Sequence, residues 1–361
     1  MVPVVDLSRR GSRFASDFGR IASNIASSGQ LLLGSELAAF EGEFAASLHA
    51  HHAVGVASGA SALQLALTAA GVGPGHDVIV PAFTAVPTAS AVIAAGARPV
   101  LADVDVSTAC VTLDSIERVR TANTRAVIAV SLYGFPTPLP SMSDGLVVIE
   151  DAAQSSGGPG RPTEVTAAAY SFYPTKNLGG IGDGGAIVTN DDTLADTARR
   201  LRAHGMVAQY VHTEVSQNFR MSELESAWLR LGLRELAADV SARRHIADRY
   251  REAAPHLRWQ TADPSHAYHL CVFRTATRDS VREHLAAAGV STGVHYPLAL
   301  TQQPAYQGRF STECPSAERW AAECVSVPCF PEMTDAEIEL VSDALAALPA
   351  DRGDGNAGTR E

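Results

Sequence analysis

Short apolar, β-branched runs alternate with alanine-rich stretches between about residues 50 and 190. Ala53-Val54-Gly55-Val56-Ala57 precedes a helix-like stretch at 62–70, and Val78-Ile79-Val80 precedes another at 85–95. The alternation continues through Pro99-Val100-Leu101, a helix candidate at 113–120, and apolar runs at 126–130, 146–149, 168–172 and 186–188. Strands that alternate with helices predict a largely parallel sheet covered on both faces, with its site in the loops at the strand carboxyl ends. Past residue 222 the period changes. Leu224, Trp228, Leu231, Leu236 and Val240 recur every three to five residues, followed by Ile246 and Tyr250, which predicts one long helix or a helix with a single break. A smaller α+β pattern follows, with a strand at 268–274, a helix at 280–288 closed by Gly289 and a last helix at 334–347. These patterns divide the chain into a large α/β domain over 1–240, whose first residues pack on the small domain, and a small C-terminal α+β domain over 241–350. The polar, glycine-containing residues 351–361 read as a flexible tail.

With 361 residues the chain exceeds one core of roughly 100–200 residues, in keeping with two domains. Hydrophobic residues at 46% and charged residues at 19% fit a globular chain. The net charge of −11 argues against nucleic acid as a partner, since that binding relies on clustered cations. The five cysteines are scattered without a CxxC pair, as expected of reduced thiols in a cytoplasmic protein. No apolar run of about 18 residues predicts a membrane span. His266-Ala267-Tyr268-His269 lacks a carboxylate or thiol cluster at ligand spacing, so structural histidines and no metal are expected.

Two segments carry candidate chemistry. Lys176 lies in Ser171-Phe172-Tyr173-Pro174-Thr175-Lys176-Asn177-Leu178-Gly179-Gly180, where an apolar run delivers an amine into a glycine-rich loop. Asp151 follows Val147-Val148-Ile149-Glu150 at a strand end. A lysine that forms a Schiff base and an aspartate that pairs with a pyridinium nitrogen are the groups pyridoxal 5'-phosphate (PLP) most needs. Taken singly, each has a plainer reading as a surface lysine or a solvated carboxylate. Ser58-Gly59-Ala60-Ser61 follows a strand and opens a helix, and is either an ordinary cap or a phosphate cradle. Gln154 is a surface amide or a donor to the cofactor's phenolic oxygen. Gly180-x-Gly182-x-x-Gly185 lacks the strand–turn–helix context of a dinucleotide fingerprint.

Assembled, these residues resemble the DegT/StrS family of PLP-dependent sugar aminotransferases, of the type I, aspartate-aminotransferase-like fold. The resemblance runs through Glu150-Asp151-Ala152-Ala153-Gln154, the Lys176 segment, Gly182-Asp183-Gly184-Gly185, Asn218-Phe219-Arg220, His295-Tyr296-Pro297 and Pro328-Cys329-Phe330-Pro331. It implies Lys176 as Schiff-base lysine and proton shuttle, Asp151 at the pyridine nitrogen and Gln154 at the phenolic oxygen. Gly59, Ala60 and Ser171 would lie at the phosphate, and His295 and Tyr296 in the substrate region. Asn218 would reach the phosphate of a neighbouring subunit, which implies a homodimer with shared sites. Pyridoxamine 5'-phosphate would be the amino-carrying form of the cofactor, the donor an amino acid such as L-glutamate, and the acceptor a nucleotide-linked keto-sugar. A keto-cyclitol acceptor and a non-catalytic regulatory role are the alternatives. Ala60 stands where the family usually has threonine, leaving Ser61 as a substitute hydroxyl. Ala85 stands where an aromatic ring commonly stacks on the cofactor, so another side chain such as Phe83 covers that face or it stays open. Ser131 and Thr301 each replace a frequent histidine.

Overall fold

The computed structural model describes residues 1–141, 145–160, 163–310 and 312–350; the tail at 351–361 lies outside them. Two helices, α1 (Leu7–Ser28) and α2 (Ser35–Ser47), precede the alternation of β1 (His52–Val56), α3 (Gly59–Ala69), β2 (Asp77–Pro81), α4 (Val86–Ala94) and β3 (Arg98–Ala102). It continues with α5 (Leu113–Val119), β4 (Thr124–Val130), β5 (Val147–Asp151), β6 (Ala167–Ser171), β7 (Gly185–Thr189) and α6 (Asp192–Leu201). A small hairpin, β8 (Met206–Ala208) and β9 (Val211–His212), leads into α7 (Glu223–Ala253). The chain then forms β10 (Arg258–Trp259), β11 (Cys271–Arg274), α8 (Arg278–Ala287), α9 (Pro315–Glu323), β12 (Cys324–Val327) and α10 (Asp335–Ala346).

Seven strands make one sheet in the order β1-β7-β6-β5-β4-β2-β3. Only β7 runs against its neighbours; the other pairings in this sheet are parallel. The reason is local. Residues 172–184 contain no helix that could carry the chain back across the sheet, so β7 returns directly beside β6. Along β5, Val147 and Ile149 enter the core under α3 and α4, whereas Val148 enters the core under α2 and α7. That period of two is what a sheet buried on both faces requires. The small domain has its own sheet, β10-β11-β12, and its own core around Phe273, Leu285, Phe330 and Leu345.

α7 is the one long helix expected, 31 residues without a break, running from beneath the large sheet into the small-domain core, where Ile246, Ala247 and Tyr250 are buried. Two elements differ from expectation. The strand expected at 268–274 begins only at Cys271, because Tyr268 takes a left-handed backbone (φ 44°) and stacks its ring on His266 at 3.8 Å. Helix α1 was not foreseen. Its two glycines and many serines weaken helix propensity, although Phe14, Phe18, Ile21 and Ile25 do fall at spacings of three and four. Phe14 and Phe18 meet the edge of Trp228 of α7 at 5.5 and 5.2 Å, so tertiary packing holds a helix that propensity alone would not. Among the described residues, no helix is long and apolar enough to cross a membrane.

Candidate active site

The β6–β7 connection carries Lys176, and the two long helices hold it from outside. Within the loop, Lys176 N–H donates to the Tyr173 carbonyl at 2.8 Å and Gly180 N–H to the Phe172 carbonyl at 2.7 Å. From α1, Arg10 Nη1 donates to the carbonyls of Pro174 and Lys176, each at 3.1 Å. From α7, Trp228 Nε1 donates to Gly179 O at 3.0 Å and Glu225 accepts from Gly182 N–H at 2.9 Å. Asn177 ties the loop to Ala267 O at 2.8 Å. Gly180 is dictated by this clamp, since a Cβ there would stand 1.5 Å from Glu225 Oε1. A side chain on a loop this constrained is aimed, which is what a reacting amine needs.

Lys176 forms part of the wall of two cavities. The first, of about 280 Å³, lies over the carboxyl ends of the strands. Ser58, Gly59, Ala60 and Ser171 line it together with Asp151 and Thr88. The expected cap is real: Ser58 Oγ accepts from Ser61 N–H at 3.1 Å. Capping and anion binding are compatible here, because the cap uses one donor and leaves other first-turn N–H groups of α3 without helical partners. Ser61 does not replace the missing threonine hydroxyl freely, since its Oγ lies 2.9 Å from Ser58 Oγ. The packing here is tight: a Cβ on Gly59 would come within 2.7 Å of Ser171 Cβ.

Asp151 is buried. Its Oδ2 accepts from Thr88 Oγ1 at 2.9 Å and its Oδ1 from Ala153 N–H at 3.2 Å. Burial pushes its pKa up, opposed by these two hydrogen bonds and by the Lys176 charge. Burial pushes the Lys176 amine down to about 8, with Asp151 pulling the other way. PLP fits this donor set. A buried carboxylate gains from a cation brought beside it, a helix N-terminus receives a phosphate, and an amine with a lowered pKa attacks an aldehyde.

The second cavity, of about 310 Å³, lies between the lysine loop and the small domain. His295 and Tyr296 are in its wall. His295 Nδ1 is 2.9 Å from Ser326 Oγ, and Tyr296 Oη accepts from Gln154 Nε2 at 3.0 Å. The other end of the Gln154 amide accepts from Tyr133 N–H, and Gln154 itself lines neither cavity. Burial and nearby Asp151 push Tyr296 up to about 12. Asn218 lines neither cavity. It is exposed, and its Oδ1 accepts from Arg220 Nε at 2.9 Å. Phe83 does not cover the cofactor face: it is fully buried and stacks on Trp320 at 6.0 Å, while Ala85 lines the first cavity. Ser131 donates to Glu150 Oε1 at 2.5 Å and Thr301 to Glu318 Oε1 at 2.7 Å. His266 is a structural residue, with burial pushing it down to about 3 and its Nδ1 accepting from Tyr268 N–H at 2.9 Å.

Sequence reasoning missed Thr88, Arg10 and the two α7 contacts to the lysine loop. Thr88 had a signal, because helical spacing sets it on the same face as Ala85, three residues earlier. One further signal went unused: Lys176 is the only lysine in the chain.

The DegT/DnrJ/EryC1/StrS aminotransferase family model matches residues 15–346. A "Pleiotropic regulatory protein" of Geobacillus stearothermophilus is 36% identical, over 96% of this chain and 98% of its own. The dTDP-3-amino-3,4,6-trideoxy-alpha-D-glucose transaminase of Streptomyces venezuelae is 38% identical over 95% of each chain. The crystal structure of S. venezuelae DesV superposes with a TM-score of 0.90 at 37% identity, over 96% of this chain and 97% of that one. Matched over 95% or more of its length by such relatives, with a cavity whose donors fit the cofactor, the chain belongs to the DegT/DnrJ/EryC1/StrS aminotransferase family and is a PLP-dependent aminotransferase.

Proposed function

We propose that the protein moves an amino group from an amino acid, L-glutamate, to a nucleotide-linked keto-deoxysugar and so makes an aminosugar. The observation that carries this reading is the convergence of Lys176, Asp151 and the amino end of α3 on one cavity. When bound, PLP supplies an electron-accepting pyridinium ring that acidifies the proton on the amino-bearing carbon. Asp151 would keep the ring nitrogen protonated. Gly59, Ala60 and Ser171 would hold the phosphate, and Lys176 Nζ would anchor the cofactor and carry the proton. Gln154, with Tyr296 on its amide, would orient the phenolic oxygen. Donor and acceptor use this site in turn, which gives ping-pong kinetics.

Asn218 of the partner subunit completes the phosphate site, so the working unit is a homodimer with two shared sites. The relative named as a dTDP-sugar transaminase supports the acceptor class. The relative named as a regulator keeps the non-catalytic reading in view, and the retained Lys176, Asp151 and Gln154 weigh against it. A keto-cyclitol acceptor would use the same groups. Purified protein should carry a visible absorption band that shifts on adding L-glutamate. A panel of keto-sugar nucleotides and a keto-cyclitol should then restore the original band only with its acceptor class. No band, or a band indifferent to every amino acid, would refute the enzyme reading.

A further inference from the structure

Glu225 is a carboxyl group built into the lysine loop from α7. It is the third residue of that helix and only 4% exposed. A glutamate at this position commonly turns back to the capping residue. Here Ser222 Oγ accepts from Glu225 N–H at 3.1 Å, but the side chain leaves its own helix and enters a cup of three glycines. Oε2 accepts from Gly182 N–H at 2.9 Å. Oε1 fills the space that a side chain on Gly180 would need, and a Cβ on Gly184 would stand 3.4 Å from it. Yet Oε1 is buried without a hydrogen-bond partner. No cation answers the carboxyl: the one charge that acts on it is Asp183, on the same loop. The other charged groups of the surrounding elements are engaged elsewhere. Arg10 of α1 donates to the carbonyls of Pro174 and Lys176, Glu41 of α2 pairs with Arg202, Glu223 of α7 accepts from Gly34 and Glu36 N–H, and Lys176 interacts with Asp151.

An ionised carboxylate with one oxygen unpaired in such a place is costly. The neutral acid suits the cup better. Oε2 goes on accepting from Gly182, and a proton on Oε1 has an acceptor at hand in Phe172 O, which lies 2.9 Å from the same Gly180 Cβ position. That carbonyl already accepts from Gly180 N–H at 2.7 Å and has a second lone pair free for the acid. Burial pushes the carboxyl up to about 7 and the Asp183 charge adds to this, against the N–H groups of Gly182 and Ile181. We propose that Glu225 is a positioning residue for the lysine loop that works as the neutral acid, so that the loop slackens against the cofactor site when Glu225 ionises. Asp183 and Gly184 line the first cavity, and the next residue, Gly185, is packed so closely on the phosphate end that a Cβ there would stand 2.3 Å from Ser58 O. A slackened loop therefore holds the cofactor less firmly. Only that last step rests on the aminotransferase reading.

The test compares wild type with Glu225→Gln, whose amide oxygen keeps the Gly182 bond and whose NH2 group stands in for the acid proton. An acid whose pKa is higher in the folded chain than in the unfolded one loses stability as pH rises from its ordinary value of 4.5 to its folded value of about 7, and no more above that. In full-length, cofactor-free protein Glu225→Gln should therefore melt close to wild type at about pH 5 and higher by about 3 °C or more at about pH 8. Glu225→Ala, which keeps neither bond, should melt below Glu225→Gln at both; if the two melt together, the loop does not depend on this side chain and the proposal fails. In the holoenzyme, loss of PLP to an excess of a scavenging protein should be several-fold faster in wild type than in Glu225→Gln at the higher pH and about equal at the lower. Lys176 titrates in both proteins, so its own effect cancels in the ratio. A ratio that does not change with pH would overturn the link to the cofactor. A Glu225→Gln protein that melts below wild type at the higher pH, with the gap closing as pH falls, would show that the anion is the working form and overturn the proposal. So would a melting difference indifferent to pH, or a Glu225→Gln chain that does not fold, because the neutral isostere is the form the cup favours. Wild type that takes up no PLP would instead strike the aminotransferase reading and leave the melting comparison standing.

Discussion

The two cavities that share Lys176 are built in opposite ways. The first draws its groups from contiguous runs at strand ends, Ser58 to Ala60 after β1, Asp151 at the end of β5 and Ser171 at the end of β6. The second is assembled from pieces far apart in sequence: the chain before α1, the lysine loop, α7, and the segments around residues 269, 295 and 329. The first presents groups that any transamination needs, a carboxylate, an anion cradle and an amine. The second presents histidines and an arginine whose use depends on what is bound. A common reaction is thus fixed by short motifs, while substrate choice is left to tertiary packing between domains.

Changes in the first cavity should therefore damage the reaction with every substrate, and changes in the second should damage it selectively. Asp151→Asn should lower both half-reactions by at least about a hundred-fold, ~3 kcal/mol of barrier, because a neutral amide does not hold the ring-nitrogen proton. Unchanged turnover would remove Asp151 from the mechanism, and loss with only one substrate would erase the distinction between the cavities.

The proposed shared-site dimer predicts a recovery. Lys176→Ala and Asn218→Ala homodimers should both be impaired, yet a mixture refolded together should regain activity. Random pairing makes about half the dimers mixed, and each mixed dimer has one site with both residues intact, so about a quarter of all sites should be competent. If tagged mixed dimers form and no activity returns, Asn218 serves its own subunit.

The pH dependence of cofactor attachment probes the first cavity more finely. Lys176 attacks as the free amine, so the rate at which cofactor-free protein takes up PLP should rise with pH through about 8 and then level off. Asp151 raises the lysine pKa, so in Asp151→Asn the inflection should move to lower pH. An unchanged inflection would mean that the two groups do not interact.

The smallest effect is expected at the open ring face. With Phe83 committed to Trp320, Ala85→Phe should slow cofactor dissociation, by up to about ten-fold for an aromatic contact worth ~0.5–1.5 kcal/mol. Faster loss would show that Ala85 faces a surface already filled.

The contrast also explains what was legible from sequence. Strand-end motifs survive in one dimension, because the residues that act together at Asp151 and Gln154, or from Ser171 to Lys176, lie within a few positions of each other. The reversed β7 was not read from sequence, although the missing helix between Phe172 and Gly185 marks it. Arg10 and Arg243 carry no such mark. Arg10 acts on Lys176 O, 166 positions away, and Arg243 on Cys329 O, 86 positions away, and no local pattern marks which arginine will be buried. α1 was obscured because its glycines and serines suit a helix only when Trp228 supplies the packing.

The most direct test of the central claim uses the fact that Lys176 is the only lysine in the chain. Reducing the cofactor-loaded protein with borohydride and mapping the product by mass spectrometry should find one phosphopyridoxyl group per chain, on Lys176, and none after prior incubation with excess L-glutamate. An unmodified Lys176 in protein that retains the visible band, or a modification that glutamate does not prevent, would contradict the account.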